Sequence, residues 1–237
     1  MAIYVTSDAH GHVRALDEAL SKISLMSDDT LYVLGDMIDR GPDPVGVIKL
    51  VRSLPNARVL KGNHEQIMLD AIIGQDPLDA ETWDINGGWT TREQLNDMEF
   101  EAYEELVRWM AALPLYAVVE TEERPYLLVH AGIETEAARA FLLEHDVDCS
   151  DGAGAVGADR ELLKQMLAVQ SSDDLLWIRH GYWDAPTGLL SSEGKGPVVV
   201  SGHTPTVSLG RYCEVGGLAG LDEESGRGQI VRLGGED

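Results

Sequence analysis

Three short strand candidates fall within the first 60 residues, an apolar, β-branched run at 2–6 and further ones at 31–34 and 57–60, and each is followed by a polar cluster and then by helical periodicity. Behind the first run, Val13, Leu16, Leu20 and Ile23 recur at spacings of three and four, one face of a helix. Behind the second, residues 45–54 form an apolar segment opened by Pro44, whose missing N–H is harmless in a first turn. Behind the third, Ile67, Met68, Ala71 and Ile72 mark another helix. Strand–helix–strand–helix at this spacing predicts an α/β fold built on a parallel sheet with right-handed crossovers.

The middle of the chain breaks this rhythm. Residues 83–91 are Gly-rich and Trp-bearing and read as a loop, while Phe100, Tyr103, Leu106 and Met110 mark a helix with an acidic, solvated face at 97–105. Runs at 115–119 and 126–130 flank a charged turn holding Pro125, the pattern of a hairpin. Between residues 133 and 174 ten acids stand against three bases, so the stretch reads as a surface excursion. Its glycines, Gly152, Gly154 and Gly157, suit a lid or an ordinary loop equally. Strand patterns return at 197–201, 211–215 and 229–233. With 237 residues, no internal repeat and no low-complexity linker, a single domain spanning 1–237 is expected.

Polar residues gather behind the strand runs. Asp8-Ala9-His10-Gly11 follows the first, Gly35-Asp36-Met37-Ile38-Asp39-Arg40-Gly41 the second, and Gly62-Asn63-His64-Glu65 the third. His130-Ala131-Gly132 ends the run at 126–130, and Gly202-His203-Thr204-Pro205 follows the run at 198–200. Each cluster alone has an ordinary explanation. Asp8 could cap a helix, Gly62-Asn63 could be plain turn chemistry, His130 a satisfied core histidine, and Asp39 with Arg40 a surface ion pair. Five such clusters in order are poorly explained by separate accidents. Carboxyl ends of parallel strands share one edge, where ligands of open α/β sheets bind, and the clusters would deliver Asp, Asn and His side chains there.

Carboxylate, imidazole and amide oxygen without thiolate suit Mn²⁺, Fe or Zn²⁺. Six candidate ligands, Asp8, His10, Asp36, Asn63, His130 and His203, are too many for one catalytic ion with open positions, and fit two ions bridged by a carboxylate. Cys149 and Cys213 stand 64 positions apart with no C-x-x-C and read as reduced thiols.

The clusters run from Asp8 to Pro205 as G-D-x-H-G (with Ser7 where glycine is usual), G-D-x-x-D-R-G, G-N-H-E, H-A-G and G-H-T-P. In them the sequence resembles the metal-dependent phosphoprotein phosphatases of the calcineurin-like metallophosphoesterase superfamily. It looks most like the short bacterial and bacteriophage-type members, which overlap with symmetrical diadenosine tetraphosphatases. The resemblance implies a central β-sandwich of mixed sheets flanked by α-helices, with a βαβαβ metal-binding unit. It implies Asp8 and His10 as ligands of one ion, Asp36 as the bridge, and Asn63, His130 and His203 as ligands of the other. His64 matches the non-ligand acid, Asp39 the carboxylate paired with it, and Arg40 and Arg179 two phosphate-binding arginines. Asn86-Gly87-Gly88 with Thr91 matches the N-G-G-x-x-T of the bacterial branch and receives no role beyond shaping the rim of the site. The implied cofactor is two divalent ions, Mn²⁺ before Fe or Zn²⁺, and the implied chemistry is direct attack on phosphorus by a metal-bridging hydroxide.

On this resemblance the expected substrate is phosphoserine or phosphothreonine in a protein or peptide, with phosphotyrosine as a further one. A chain somewhat shorter than typical symmetrical diadenosine tetraphosphatases favours that reading. The alternative keeps the chemistry and takes diadenosine tetraphosphate or another nucleotide polyphosphate. A third reading, an inactive metal-stabilised binding module, sits poorly with retention of every ligand together with His64, Asp39 and both arginines. The four tryptophans near the proposed rim, Trp83, Trp89, Trp177 and Trp183, read as core anchors before substrate platforms.

Charge narrows the partners. With 41 acids against 18 bases the chain carries −23, which argues against nucleic acid and anionic membrane as partners. The expected centre holds three aspartates and two arginines, so two divalent ions turn a local charge of about −1 into about +3 and leave a small phosphate group as a fitting ligand. No basic leader precedes Asp8 and no apolar run has the length of a membrane span, the pattern of a cytoplasmic protein; the oligomeric state is left open.

Overall fold

The strand candidates of the first third become strands. In a computed structural model, residues 1–74, 76–149, 155, 157–179, 196–204 and 230–234 are described. β1 (Ile3–Thr6), β2 (Thr30–Val33) and β3 (Ala57–Val59) pair in parallel, with Val5 opposite Tyr32 and Val33 opposite Val59. The crossovers are α1 (Val13–Lys22) and α2 (Pro44–Ser53). At the start of α2 the Asp43 carboxylate accepts the Gly46 N–H at 2.9 Å, and Pro44 takes the first turn. α3 (Asn63–Ile73) follows β3 after three residues.

A second sheet stands beside the first. β4 (Tyr116–Glu120) and β5 (Pro125–Val129) form the expected hairpin, with Glu120 opposite Pro125, and β6 (Val198–Val200) runs parallel to β5. β7 (Val231–Leu233) lies antiparallel to β1, so the first sheet runs β3-β2-β1-β7 and the second β4-β5-β6. One parallel sheet is therefore too simple a description, and the sandwich of mixed sheets is what forms. The period of two explains it. Tyr126, Leu128, Val198 and Val200 point inward against Ile3, Val5 and Leu34 of the first sheet. Leu127, Val129 and Val199 point outward and need a cover of their own.

Helices supply that cover. The stretch 133–174, expected as a surface excursion, contains α7 (Thr135–Glu144), α8 (Arg160–Ala168) and the first half of α9 (Ser172–Trp177). Ala138, Leu142, Leu163, Met166, Leu167 and Leu175 are buried against the second sheet. The acids that suggested an excursion, Glu136, Glu144, Glu161 and Asp173 among them, occupy the exposed faces of these helices. Residues 83–91 need a similar correction. α4 (Pro77–Ile85), a turn at 86–88 and α5 (Trp89–Asn96) replace the expected loop, followed by α6 (Phe100–Ala111). The strand expected at 211–215, Pro205, Trp183 and most of the glycine stretch 152–157 lie outside the described residues.

Candidate metal centre

The loops behind the strands are laced to one another by their backbones. Asp8 N–H donates to Gly35 O at 3.1 Å, His10 N–H to Asp36 O at 2.9 Å and Gly11 N–H to Met37 O at 2.9 Å, joining the loops after β1 and β2. Gly35, at φ +95°, lets the loop after β2 touch the one after β3: a Cβ there would lie 2.3 Å from Gly62 N. Glu65, one turn into α3, accepts the N–H groups of Asp36, Met37 and Gly62, each at 2.8 Å. The second sheet joins the same edge. His130 Nδ1 donates to Leu34 O at 2.7 Å, and His203 N–H donates to the Asp8 carboxylate at 3.0 and 3.1 Å. The five clusters therefore meet at one edge of the sandwich.

Two groups of potential ligands result, and both contain Asp36. His10, Asp36 and His64 offer ligand atoms within 4.8 Å of one another, as do Asp36, His130 and His203. His10 Nε2 and His130 Nε2 lie 3.6 and 3.4 Å from Asp36 Oδ2. The Nδ1 atoms of these two rings are committed to backbone carbonyls, of Ile38 and Leu34, which aims each Nε2 at the centre. Asn63 Oδ1 sits 2.8 Å from His130 Nε2 and 3.0 Å from His203 Nδ1. His203 Nε2 is buried without a hydrogen-bond partner. Nitrogen and oxygen donors converging on a shared carboxylate fit a pair of divalent ions. Asp8 stands beside these groups, its carboxylate turned to the His203 backbone. His64, expected as a non-ligand, falls within the first group.

Among the described residues, seven other than glycine have positive φ, and six of them are Asp8, His10, Asp36, Asp39, Arg40 and His203. Such residues each cost roughly 1–3 kcal/mol and persist only where surrounding bonds hold them. The lacing of the loops does that here.

Burial and charge then set the protonation of the centre. For Asp36, burial works upward, but His130 and His64 hold the carboxyl well below its usual range. Burial pushes His10 down to about 3. It pulls on His130 too, yet the charges of Asp36 and Asp8, and the hydrogen bond to Asp36, leave that ring at about 9. His64 is likewise raised, with Asp36 and Asp39 outweighing burial. His203 is lowered by burial, by His130 and by Arg179. Burial and the charge of Asp36 push Glu65 up to about 7, against the three N–H groups that favour its carboxylate.

The remaining candidates frame this centre. His64 Nδ1 donates to Asp39 Oδ2 at 2.7 Å. The Arg40 guanidinium lies 2.9 Å from His64 Nε2 and 3.3 Å from His10 Nε2. Arg179, two residues past α9, donates to His203 O at 3.1 Å. Three residues given no chemical role from sequence belong here as well: Glu65, Trp83 and Thr91. Trp83 is a core anchor, as expected, but its Nε1–H reaches Asp39, while Trp177 is half exposed beside His203, ring to ring at 6.1 Å. For Glu65 the signal was its place three residues past Gly62 at a helix start. Thr91 carries none beyond the short N-G-G-x-x-T pattern, and Trp83, outside that pattern, carries none.

Residues 1–226 match the calcineurin-like phosphoesterase family. A symmetrical bis(5'-nucleosyl)-tetraphosphatase of Erwinia tasmaniensis is 32% identical over 136 residues, 56% of this chain and 45% of that protein. One of the same name from Proteus mirabilis is 28% identical over 219 residues, 90% of this chain and 68% of that protein. The chain spans about half the length of most curated relatives it matches, 44–45% for the Erwinia and Salmonella proteins. A solved structure of a protein proposed to be a diadenosine tetraphosphatase has a TM-score of 0.57 at 16% identity, over 100% of this chain and 94% of that one, which shows a shared fold. These relatives overturn the protein serine/threonine phosphatase expected from the motifs. The motifs describe the centre that handles phosphorus and not the group attached to it. The length argument fails with it, because relatives with longer chains carry the tetraphosphatase name and match this one. Among the described residues no helix is long and apolar enough to cross a membrane.

Proposed function

We propose a function from one premise: the chain belongs to the calcineurin-like phosphoesterase family and is a metal-dependent hydrolase of phosphoesters. The proposed substrate is a nucleotide polyphosphate, diadenosine tetraphosphate first, cut between its second and third phosphates to leave two molecules of ADP. Residues 1–237 are read as one catalytic domain. The observation that carries this reading is the likeness to curated tetraphosphatases, 32% identical over 136 residues for one and 28% over 219 for another.

Asp8, His10 and Asp36 would hold one ion and Asp36, Asn63, His130 and His203 the other; bound ions supply the Lewis acidity that makes water nucleophilic near neutral pH. The chain's own groups do the rest. Arg40 presents two guanidinium arms between His10 and His64, the geometry for gripping two oxygens of one phosphate. Arg179, just past α9 and tied to the His203 carbonyl, offers a second cation. His64 has Nδ1 committed to Asp39, so Nε2 is the atom that can give a proton to the departing phosphate oxygen. Asp39 keeps the ring oriented and favours its protonated form.

The test is product analysis. Protein loaded with Mn²⁺, Fe²⁺ or Zn²⁺ is given diadenosine tetraphosphate, and nucleotides are separated by anion exchange. ADP as the sole product supports the reading. ATP with AMP would mean asymmetric cleavage, and turnover of simple phosphoesters without any of the tetraphosphate would remove the proposed substrate.

A further inference from the structure

Among the described residues the Asp39 side chain makes four hydrogen bonds beside the centre, and its partners Trp83 and Thr91 come from helices where the sequence suggests a loop. The carboxylate is fully buried. Trp83 Nε1–H donates to both of its oxygens, at 3.0 and 3.1 Å. Thr91 closes a two-way contact: its Oγ1 accepts the Asp39 N–H at 2.9 Å and donates to Asp39 Oδ1 at 2.6 Å. Only after these does His64 take Oδ2. Trp83 and Thr91 are themselves buried, 3% and 0% exposed, and flank the turn at 86–88. That turn is built around them. A Cβ on Gly88 would lie 2.2 Å from Trp83 Cδ1 and 2.3 Å from its Nε1, so only glycine lets the indole sit where it does. Gly87 O accepts the Arg40 N–H at 3.1 Å, which ties the next residue of the same loop to the same turn.

We propose that Trp83 and Thr91 are positioning residues that act through Asp39 on His64. The proposal rests on the reading of His64 as proton donor. With Asp39 at φ +68°, the backbone alone does not hold this carboxylate in place. The indole N–H fixes the plane of the carboxylate and the threonine hydroxyl fixes its depth, leaving one lone pair aimed at His64 Nδ1. Without either bond the carboxylate turns, the imidazole follows it, and Nε2 leaves the line to the departing oxygen.

Two readouts test this, kinetic and spectroscopic. Trp83→Phe and Thr91→Val are expected to lower kcat on diadenosine tetraphosphate about tenfold with KM within about twofold, a part of the 10²–10⁴ that a positioned acid supplies. Thr91→Ser, which keeps the hydroxyl, should recover the wild-type rate to within about twofold. In a His64→Asn background Trp83→Phe should have no further effect. Loss of the same factor there would make Trp83 a packing residue and overturn the proposal. In ¹⁵N-indole spectra, the signal that disappears in Trp83→Phe should move upfield in Asp39→Asn, and an unmoved signal would refute the bond itself. If His64→Asn leaves kcat unchanged, the proton-donor reading fails, and a shifted indole signal would then show that the clamp exists without serving it.

Discussion

Gly35→Ala tests whether the contact between two loop backbones organises the centre. The added Cβ would stand 2.3 Å from Gly62 N, 2.5 Å from Gly62 Cα and 2.9 Å from Lys61 C, all of them backbone atoms that cannot swing aside. Gly35 also sits at φ +95°, beyond the left-handed well that L-residues tolerate. That conformation costs about 1–2 kcal/mol for alanine. Overpacking against main chain adds about 1–3 kcal/mol. The expected loss is about 2–5 kcal/mol, a large part of an ordinary stability of roughly 5–15 kcal/mol. Because Gly35 precedes Asp36 and Gly62 precedes Asn63, the strain is relieved by moving those loops apart. The 3.0 Å bond from His64 N–H to Asp36 Oδ1 is the first to stretch. Urea unfolding of chelated protein should show a lower midpoint at unchanged slope. Calorimetric titration with Mn²⁺ should show affinity reduced at least tenfold. A variant within about 0.5 kcal/mol of wild type that binds the ion normally would refute the reasoning, since neither cost would then be present.

Other perturbations reach the centre by different routes. Asp36→Asn removes the carboxylate common to both ligand groups, and bound metal measured by mass spectrometry should fall from two ions toward none, with kcat down about 10³-fold or more. Glu65→Ala leaves three buried N–H groups without acceptors, at about 1–3 kcal/mol each, and should lower the urea midpoint even though no ligand is touched. In chelated protein His130 lies at about 9, against 6.5 when unfolded. It therefore stabilises the fold fully below pH 6.5 and loses that contribution, on the order of 3 kcal/mol, as pH rises through 9; a flat urea-midpoint profile between pH 6.5 and 9.5 would contradict this. Metal ligation needs the neutral ring, so loading at pH 7.5 should release about one proton, read from the dependence of binding heat on buffer ionisation.

What could be seen in the sequence and what could not divides along physical lines. β1, β2 and β3 were legible because each short run is followed at once by helical periodicity, and the residues behind them were legible because strand ends deliver side chains to a shared edge. The helices at 135–177 were misjudged because their acids outnumber bases, although Leu163, Met166 and Leu167 already sat at helical spacing. Trp83 and Thr91 meet Asp39 across 44 and 52 positions, contacts that only tertiary structure creates. The substrate was least legible of all. Asp8, Asp36 and His64 describe how phosphorus is handled and are silent about what carries it.

The two ligand groups differ in which parts of the fold they join. His10, Asp36 and His64 all extend from the first sheet, whereas the second group sets Asp36 of the first sheet against His130 and His203 of the second. Beyond this seam the sheets are held together by side-chain packing and by the His130–Leu34 and His203–Asp8 bonds. An ion bound at the second group would therefore cross-link the two sheets, and one at the first group would not. Hydrogen exchange would register the difference as amides of β4, β5 and β6 opening independently of β1–β3 when metal is removed, and together with them once it returns.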